Sequence, residues 1–256
     1  MAQTSQNGAV DLAHKPTMST AQILLMNVGF FGIQYSFGMQ QNIMSPIYQF
    51  LGASPDELPI LNLAGPVTGL LIQPLIGALS DRTWSDKWGR RKPFFLIGAA
   101  GCSIFLFLMP FVTAVWMAVL CLWLLDASNN TAMEPYRAFI ADRVPDKQLA
   151  KGFLAQSLFI GAGSALAGGT LAVLEKILKG ATAAGIPYWV FGAFMVGSVC
   201  SIGSVLISVL STKELPPTPE DRAELERKKR EEGPFGFLKD IGVAIVEMPR
   251  GLKKMA

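Results

Sequence analysis

Histidine is almost missing from this chain: the single one, His14, lies in a polar N-terminal stretch. The apolar body of the protein therefore has no histidine for proton transfer or metal ligation. Cysteine is scarce as well. Cys102, Cys121 and Cys200 all sit in apolar runs, so neither a disulfide framework nor a metal-ligand spacing can be read. The apolar runs contain no Ser–His pair, HExxH motif or Cys–His arrangement, which argues against a membrane-embedded enzyme. Charge is thin too, with Asp, Glu, Lys and Arg at 16% of 256 residues, against about 25% in ordinary soluble domains. Hydrophobic residues reach 51% and the mean hydropathy is +0.38. No metal, cofactor or nucleic-acid partner is expected from such a chain; a lipid bilayer is.

Six runs are long enough to cross that bilayer, at about 20 residues each: 21–45, 58–80, 93–113, 115–140, 152–177 and 187–210. The first is too long for a cleavable signal and lacks a basic n-region. Between the runs the charge alternates. Residues 50–57 carry Asp56 and Glu57 without Lys or Arg, and the turn at 112–114 is uncharged. The connection at 80–93 holds Arg82, Lys87, Arg90, Arg91 and Lys92, and Arg143, Lys147 and Lys151 follow the fourth run. Lys176 and Lys179 flank the fifth-to-sixth connection, and ten more basic residues follow Leu210, beginning at Lys213. By the positive-inside rule both ends are cytoplasmic. The expected organisation is an N-terminal tail (1–20), a six-helix transmembrane bundle (21–210) and a cytoplasmic linker (211–256). Within the linker, Pro219–Glu232 reads as a charged, solvated helix with Glu224–Lys228 and Glu226–Arg230 at favourable spacing. Leu238, Ile241, Ile245 and Met248 then recur as in a surface-bound amphipathic helix.

The fourth run is the polar one. It carries Asp126, Asn129, Asn130, Glu134 and Arg137. An ionisable side chain at mid-bilayer costs about 2.5–3.5 kcal/mol, so such groups face a bundle interior or a watery path. Eleven residues turn a helix by about 1100°, some 20° from whole turns, so Asp126 and Arg137 share a face about 16 Å apart along a straight axis. Pro135 is expected to kink that axis. Desolvation disfavours a carboxylate's charge, which makes Asp126 a candidate to take up and release a proton, with Glu134 as a second titrating group. The alternative is a structural Asp126–Arg137 ion pair. The first run is also polar: Gln34 shares a face with Gln41, and Tyr35 with Asn42. These suit a sugar's hydroxyls and ring, or serve as interhelical glue. Gly65–Gly69 and Gly161–Ala165–Gly169 form small-residue stripes expected to allow close helix approach.

The second-to-third connection reads Gly77, Asp81, Arg82, then Gly89, Arg90, Arg91. It resembles the loop signature of the major facilitator superfamily, with a longer gap between Arg82 and Gly89 than most members have. Gln34 to Gln40 with Ser45-Pro46, Gly65-Pro66-Val67-Thr68-Gly69 with Gln73-Pro74, and Leu125-Asp126 through Asn129-Asn130-Thr131 to Pro135 and Arg137 are similar to the sucrose and glycoside proton symporters of that superfamily. Glu134 departs from that pattern, since relatives tend to be uncharged there. The resemblance implies a twelve-span transporter of two six-helix halves, each a three-plus-three inverted repeat. This chain would be the N-terminal half of that major facilitator fold, and a C-terminal half its partner. It implies proton coupling at Asp126 and a sugar or charge-relay role for Arg137. Together with the polar residues of the first, second and fourth runs, the expected sugar-binding set is Arg137, Asn129, Asn130, Gln34, Tyr35, Gln40 and Gln73. The expected activity is proton-coupled uptake of a glycoside such as sucrose or maltose across a plasma or inner membrane. An antiporter of another small molecule and a non-transporting membrane module remain as alternatives.

Overall fold

The computed structural model describes residues 15–182, 185–217 and 219–232. Among these the chain is helical, broken only by turns and two isolated β-bridges. The helices are α1 (Thr20–Asn27), α2 (Gly29–Phe50), α3 (Leu58–Leu61), α4 (Ala64–Asp81), α5 (Lys92–Leu108), α6 (Val115–Arg143), α7 (Leu149–Ile177), α8 (Tyr188–Ser211) and α9 (Pro219–Glu232). Six long helical segments thus coincide with the six apolar runs to within a few residues. Four segments are long and apolar enough to cross a membrane: Pro55–Asp81, Lys92–Phe111, Asp146–Ile177 and Tyr188–Ser211. The two outside that set are α2, rich in amides, and α6, which carries both amides and charges. The amphipathic stretch around 238–248 lies outside the described residues.

Local chemistry sets several boundaries. Ser19 opens α1 with a capping box: Gln22 N–H donates to its hydroxyl at 3.2 Å, and its own N–H donates to Gln22 Oε1 at 2.9 Å. The first run splits at Val28 because the N–H of Gly29 donates to the Tyr136 hydroxyl at 3.0 Å instead of continuing the helix ladder. Tyr136 sits between Phe30 and Phe95, with ring centroids 4.2 and 4.6 Å away, so this exchange happens inside an aromatic stack. Pro46, Pro74 and Pro135 each lie inside a helix.

Packing divides the core into two clusters. One gathers Tyr35, Met39, Ile43, Leu106, Leu122, Leu125 and Phe194; the other gathers Met26, Phe30, Phe95, Tyr136, Phe139 and Val205. α5 packs along α6 and α8, α2 along α7 and α8, and α4 lies against α6. The tight approaches differ from those expected. A Cβ on Gly163 of α7 would lie 2.4 Å from the backbone oxygen of Phe31, and one on Gly98 of α5 would lie 2.5 Å from the backbone nitrogen of Ala132. The stripes at Gly65–Gly69 and Gly161–Gly169 meet no helix that closely; a Cβ at Gly65, Gly161 or Gly169 finds open space among the described residues. Spacing shows that a face is small. Which face another helix occupies depends on how the bundle assembles.

Candidate functional site

A groove of about 630 Å³ runs between α2, α4 and α6. Its walls include Phe37, Gln40, Gln41 and Ser45 from α2, Gly65, Pro66, Gly69 and Gln73 from α4, and Leu122, Asp126, Asn130 and Met133 from α6, with Asn62 near the start of α4. Asp126 is 1% exposed. Its Oδ2 accepts from the hydroxyl of Thr68 on α4 and from Asn130 Nδ2 at 3.0 Å. Asn130 also donates to the Asp126 carbonyl at 2.9 Å, and its Oδ1 accepts from Gln73 Nε2 at 2.6 Å. A continuous polar chain, Thr68–Asp126–Asn130–Gln73, therefore ties the two helices that flank the groove. Gln40 contributes a buried amide nitrogen that has no hydrogen-bond partner among the described residues. An unused buried donor is costly, so it is a ready contact for a ligand oxygen.

The remaining residues of the expected site are placed elsewhere. Asn129 is fully buried behind Asp126, donating to Ser36 Oγ at 2.8 Å and accepting from Cys102 Sγ at 2.9 Å. Tyr35 is sealed in the core, its hydroxyl 3.3 Å from the carbonyl of Ala193 on α8. Gln34 stands where α2 meets α7, beside Gly163. Glu134 is half-buried opposite Gly77 of α4, and Arg137 is exposed. Among the described residues Asp126 and Arg137 make no ion pair; the carboxylate is held by neutral donors.

A second constellation forms at the α4–α5 connection. Arg91 is buried and reaches Asp81 Oδ1 at 2.6 Å, Asp142 Oδ2 at 2.9 Å and Ser80 Oγ at 2.5 Å. Arg90 reaches the same Asp81 carboxylate at 3.2 Å and its carbonyl at 2.7 Å. The extra residues between Arg82 and Gly89 do not disrupt this meeting. Ser85 and Gly89 exchange both backbone hydrogen bonds, at 3.0 and 2.7 Å, so residues 86–88 loop outward. Gly89 closes that loop at φ +78°, a conformation glycine adopts without a Cβ clash. Arg82, which caps the end of α4, lies beside Trp84, Asp86 and Arg222 of α9. Asp86 accepts from Trp84 Nε1 at 3.0 Å and pairs with Arg222 at 2.5 Å; the indole and then the guanidinium hold its carboxyl below the usual range. Arg222 thus docks α9 on this loop, and among the described residues no ion pair joins Glu226 to Arg230.

Sequence reasoning missed the residue that joins this loop to the end of the bundle. Glu214, three residues past α8, accepts from the backbone N–H groups of Arg90 (2.7 Å), Arg91 (2.9 Å) and Lys92 (2.8 Å). A carboxylate on three free N–H groups at a helix start satisfies both the orphan donors and the helix dipole. Lys92 and Arg143 complete the tie by donating to carbonyls of Val209 (2.8 Å) and Lys213 (3.2 Å). The only signal was an acidic residue among basic ones. Thr68, Ser80, Ser36 and Asp142 were also missed, since nothing in their spacing names a partner.

Comparison with known proteins adds a family and relatives. A model of the Major Facilitator Superfamily matches residues 26–249. The sucrose transport protein SUT1 of Oryza sativa subsp. japonica is 33% identical over 147 residues, covering 49% of this chain and 27% of that protein. The sucrose transport protein SUC4 of Arabidopsis thaliana is 30% identical over 188 residues, covering 65% of this chain and 36% of the relative. SUC3 of Arabidopsis thaliana, also a sucrose transport protein, is 33% identical over 133 residues, 43% of this chain and 22% of its own length. The match thus spans about a third or less of these relatives.

Proposed function

The chain belongs to the Major Facilitator Superfamily, and from that premise we propose that it forms the first six-helix half of a secondary transporter moving a neutral glycoside, such as sucrose or maltose, together with protons. It is an integral membrane protein; in this reading all six long segments span the bilayer as a three-plus-three inverted repeat, both ends face the cytoplasm, and 211–256 connects to a second half. The observation that carries the proposal is a buried carboxyl, Asp126, in the wall of a groove otherwise lined by amides, a hydroxyl and apolar groups. Such a wall offers donors and acceptors to a polyol, no fixed cation to an anion, and one group able to carry a proton. Gln40, Gln73 and Asn130 contact sugar; Gln41 extends the polar wall. Arg137, farther along the same face of α6, and Glu134, about 80° round the helix, are the candidates for charge relay as the groove alternates between the two sides.

The loop around Asp81, Arg90 and Arg91 serves the conformational cycle, because it fastens α4, α5, α6 and the segment after α8 at one end of the bundle. The experiment is transport by the complete protein in proteoliposomes. Asp126→Asn is expected to abolish uphill accumulation of sucrose while leaving exchange; unchanged accumulation refutes the coupling role. Counterflow with sucrose, maltose and unrelated solutes tests the glycoside reading against an antiporter of another small molecule.

A further inference from the structure

We propose that Thr68 is a positioning residue for proton coupling: its hydroxyl reverses the direction of one hydrogen bond as Asp126 gains or loses a proton, carrying that change into α4. The inference rests on the reading of Asp126 as the coupling carboxyl. Thr68 is 4% exposed and lies on α4, across the helix contact from Asp126 on α6. Its Oγ1 owns one proton and two lone pairs. Around it stand two acceptors that can never donate, the carbonyls of Ala64 at 2.8 Å and Gly65 at 3.4 Å, and a donor that can never accept, Asn130 Nδ2 at 3.3 Å. The fourth neighbour, Asp126 Oδ2, changes character with its charge.

An ionised carboxylate only accepts, so the single Thr68 proton is committed to Oδ2 and withdrawn from Ala64. When a proton arriving through the groove binds Oδ2, the new O–H donates to Thr68 Oγ1, and the Thr68 proton swings back to the Ala64 carbonyl. One O–H bond forms on the carboxyl and one proton enters; nothing else is consumed. Asn130 cannot reverse in this way, because its Nδ2 only donates and its Oδ1 is taken by Gln73 at 2.6 Å. Among the described residues Thr68 is therefore the one partner of Asp126 Oδ2 able to serve both charge states as donor and as acceptor. The tie it makes between α4 and α6 is charge-assisted in one state and neutral in the other, and charge-assisted bonds are about twice as strong. Proton occupancy thereby sets how firmly the two groove walls are joined.

Few other titratable groups face the carboxyl. α5 presents Cys102, with Lys92 at its start; α2 carries only Tyr35 and Tyr48; α4 carries only Asp81, at its far end. α7, which touches α6 lightly, has Lys151, Glu175 and Lys176 near its ends. On α6 itself Glu134 and Arg137 follow two and three turns along.

The test compares Thr68→Val, Thr68→Ser and Asp126→Asn in the complete protein, reconstituted in liposomes with sucrose as the probe. Thr68→Val keeps the shape and removes the hydroxyl. Counterflow should stay within about threefold, proton-driven accumulation should fall about tenfold, and the pH profile should move by about one unit, as expected for losing one hydrogen bond to a charged group. Thr68→Ser should restore both to within about twofold, the hydroxyl chemistry being unchanged. In infrared difference spectra the acid carbonyl band that Asp126→Asn removes should shift to higher frequency in Thr68→Val, whose acid O–H has lost its acceptor. Should Thr68→Val not fold, Thr68→Ala supplies the same readouts. An unmoved pH profile and carboxyl band in the variant lacking the hydroxyl, or failure of Thr68→Ser to rescue, overturns the proposal. If Asp126→Asn removes proton dependence while Thr68→Val behaves as wild type, only the Thr68 role falls. If Asp126→Asn leaves proton dependence intact, the coupling reading itself falls.

Discussion

Removing the carboxylate of Glu214 should loosen the start of α5. Three backbone N–H groups, those of Arg90, Arg91 and Lys92, converge on that side chain at 2.7–2.9 Å. Hydrogen bonds to a charged group contribute about 1.5–3 kcal/mol, and ordinary ones about 1 kcal/mol. Glu214 is half-buried, so the lower figure applies, and three bonds sum to about 3 kcal/mol. That corresponds to about a hundredfold change in a local opening equilibrium. Hydrogen–deuterium exchange, followed on a peptide covering the α4–α5 loop and the first turn of α5, reads that opening directly. Glu214→Ala is expected to speed exchange at residues 90–92 about a hundredfold. Glu214→Gln, which keeps one acceptor oxygen but loses the charge, should give about tenfold. Amides in the middle of α5 should be unaffected and serve as the control. Unchanged protection at 90–92 in Glu214→Ala would show that the carboxylate does not hold these groups, and the fastening of the α4–α5 loop to the segment after α8 would have to be abandoned.

Five further substitutions probe the packing and the loop. Gly163→Leu should destabilise the bundle by about 3 kcal/mol or more, because the new side chain meets the backbone of Phe31 and Tyr35; Gly161→Leu points into open space in this chain, and thermal unfolding should separate the two. Tyr136→Phe leaves the buried Gly29 N–H without its partner and should cost about 1–3 kcal/mol, read from the same melting curves; no change would place that N–H elsewhere. Arg91→Lys should lower stability by about 1–2 kcal/mol, since one compact ammonium cannot span Asp81, Asp142 and Ser80 as the guanidinium does. Arg90→Lys should cost less, its side chain being about one-third exposed.

Helices, their order and the family were legible in the chain because they depend on local composition. Apolar runs of bilayer length mark the helices whatever their neighbours are, and the pattern from Gly77 to Arg91 names a loop whose members meet within one connection. The polarity of α2 and α6 was legible for the same reason. What the spacing could not show was partnership. Asp126 and Arg137 share a helical face, yet the carboxyl is bound by Thr68 and Asn130 while Arg137 stands exposed. Tyr35 and Asn129 have the right chemistry for a sugar, but they turn toward α8 and toward Ser36 and Cys102.

Periodicity along one helix gives the angle of a side chain about that helix's own axis. It says nothing about which neighbour lies at that angle, and in a bundle the neighbour decides whether a polar group becomes glue, wall or ligand contact. The sequence by itself determined that polar groups would be taken out of water on α2 and α6. Only the tertiary structure, by laying α4 against α6, decided that Thr68 rather than Arg137 holds Asp126, because a hydrogen bond needs contact and not merely a shared face.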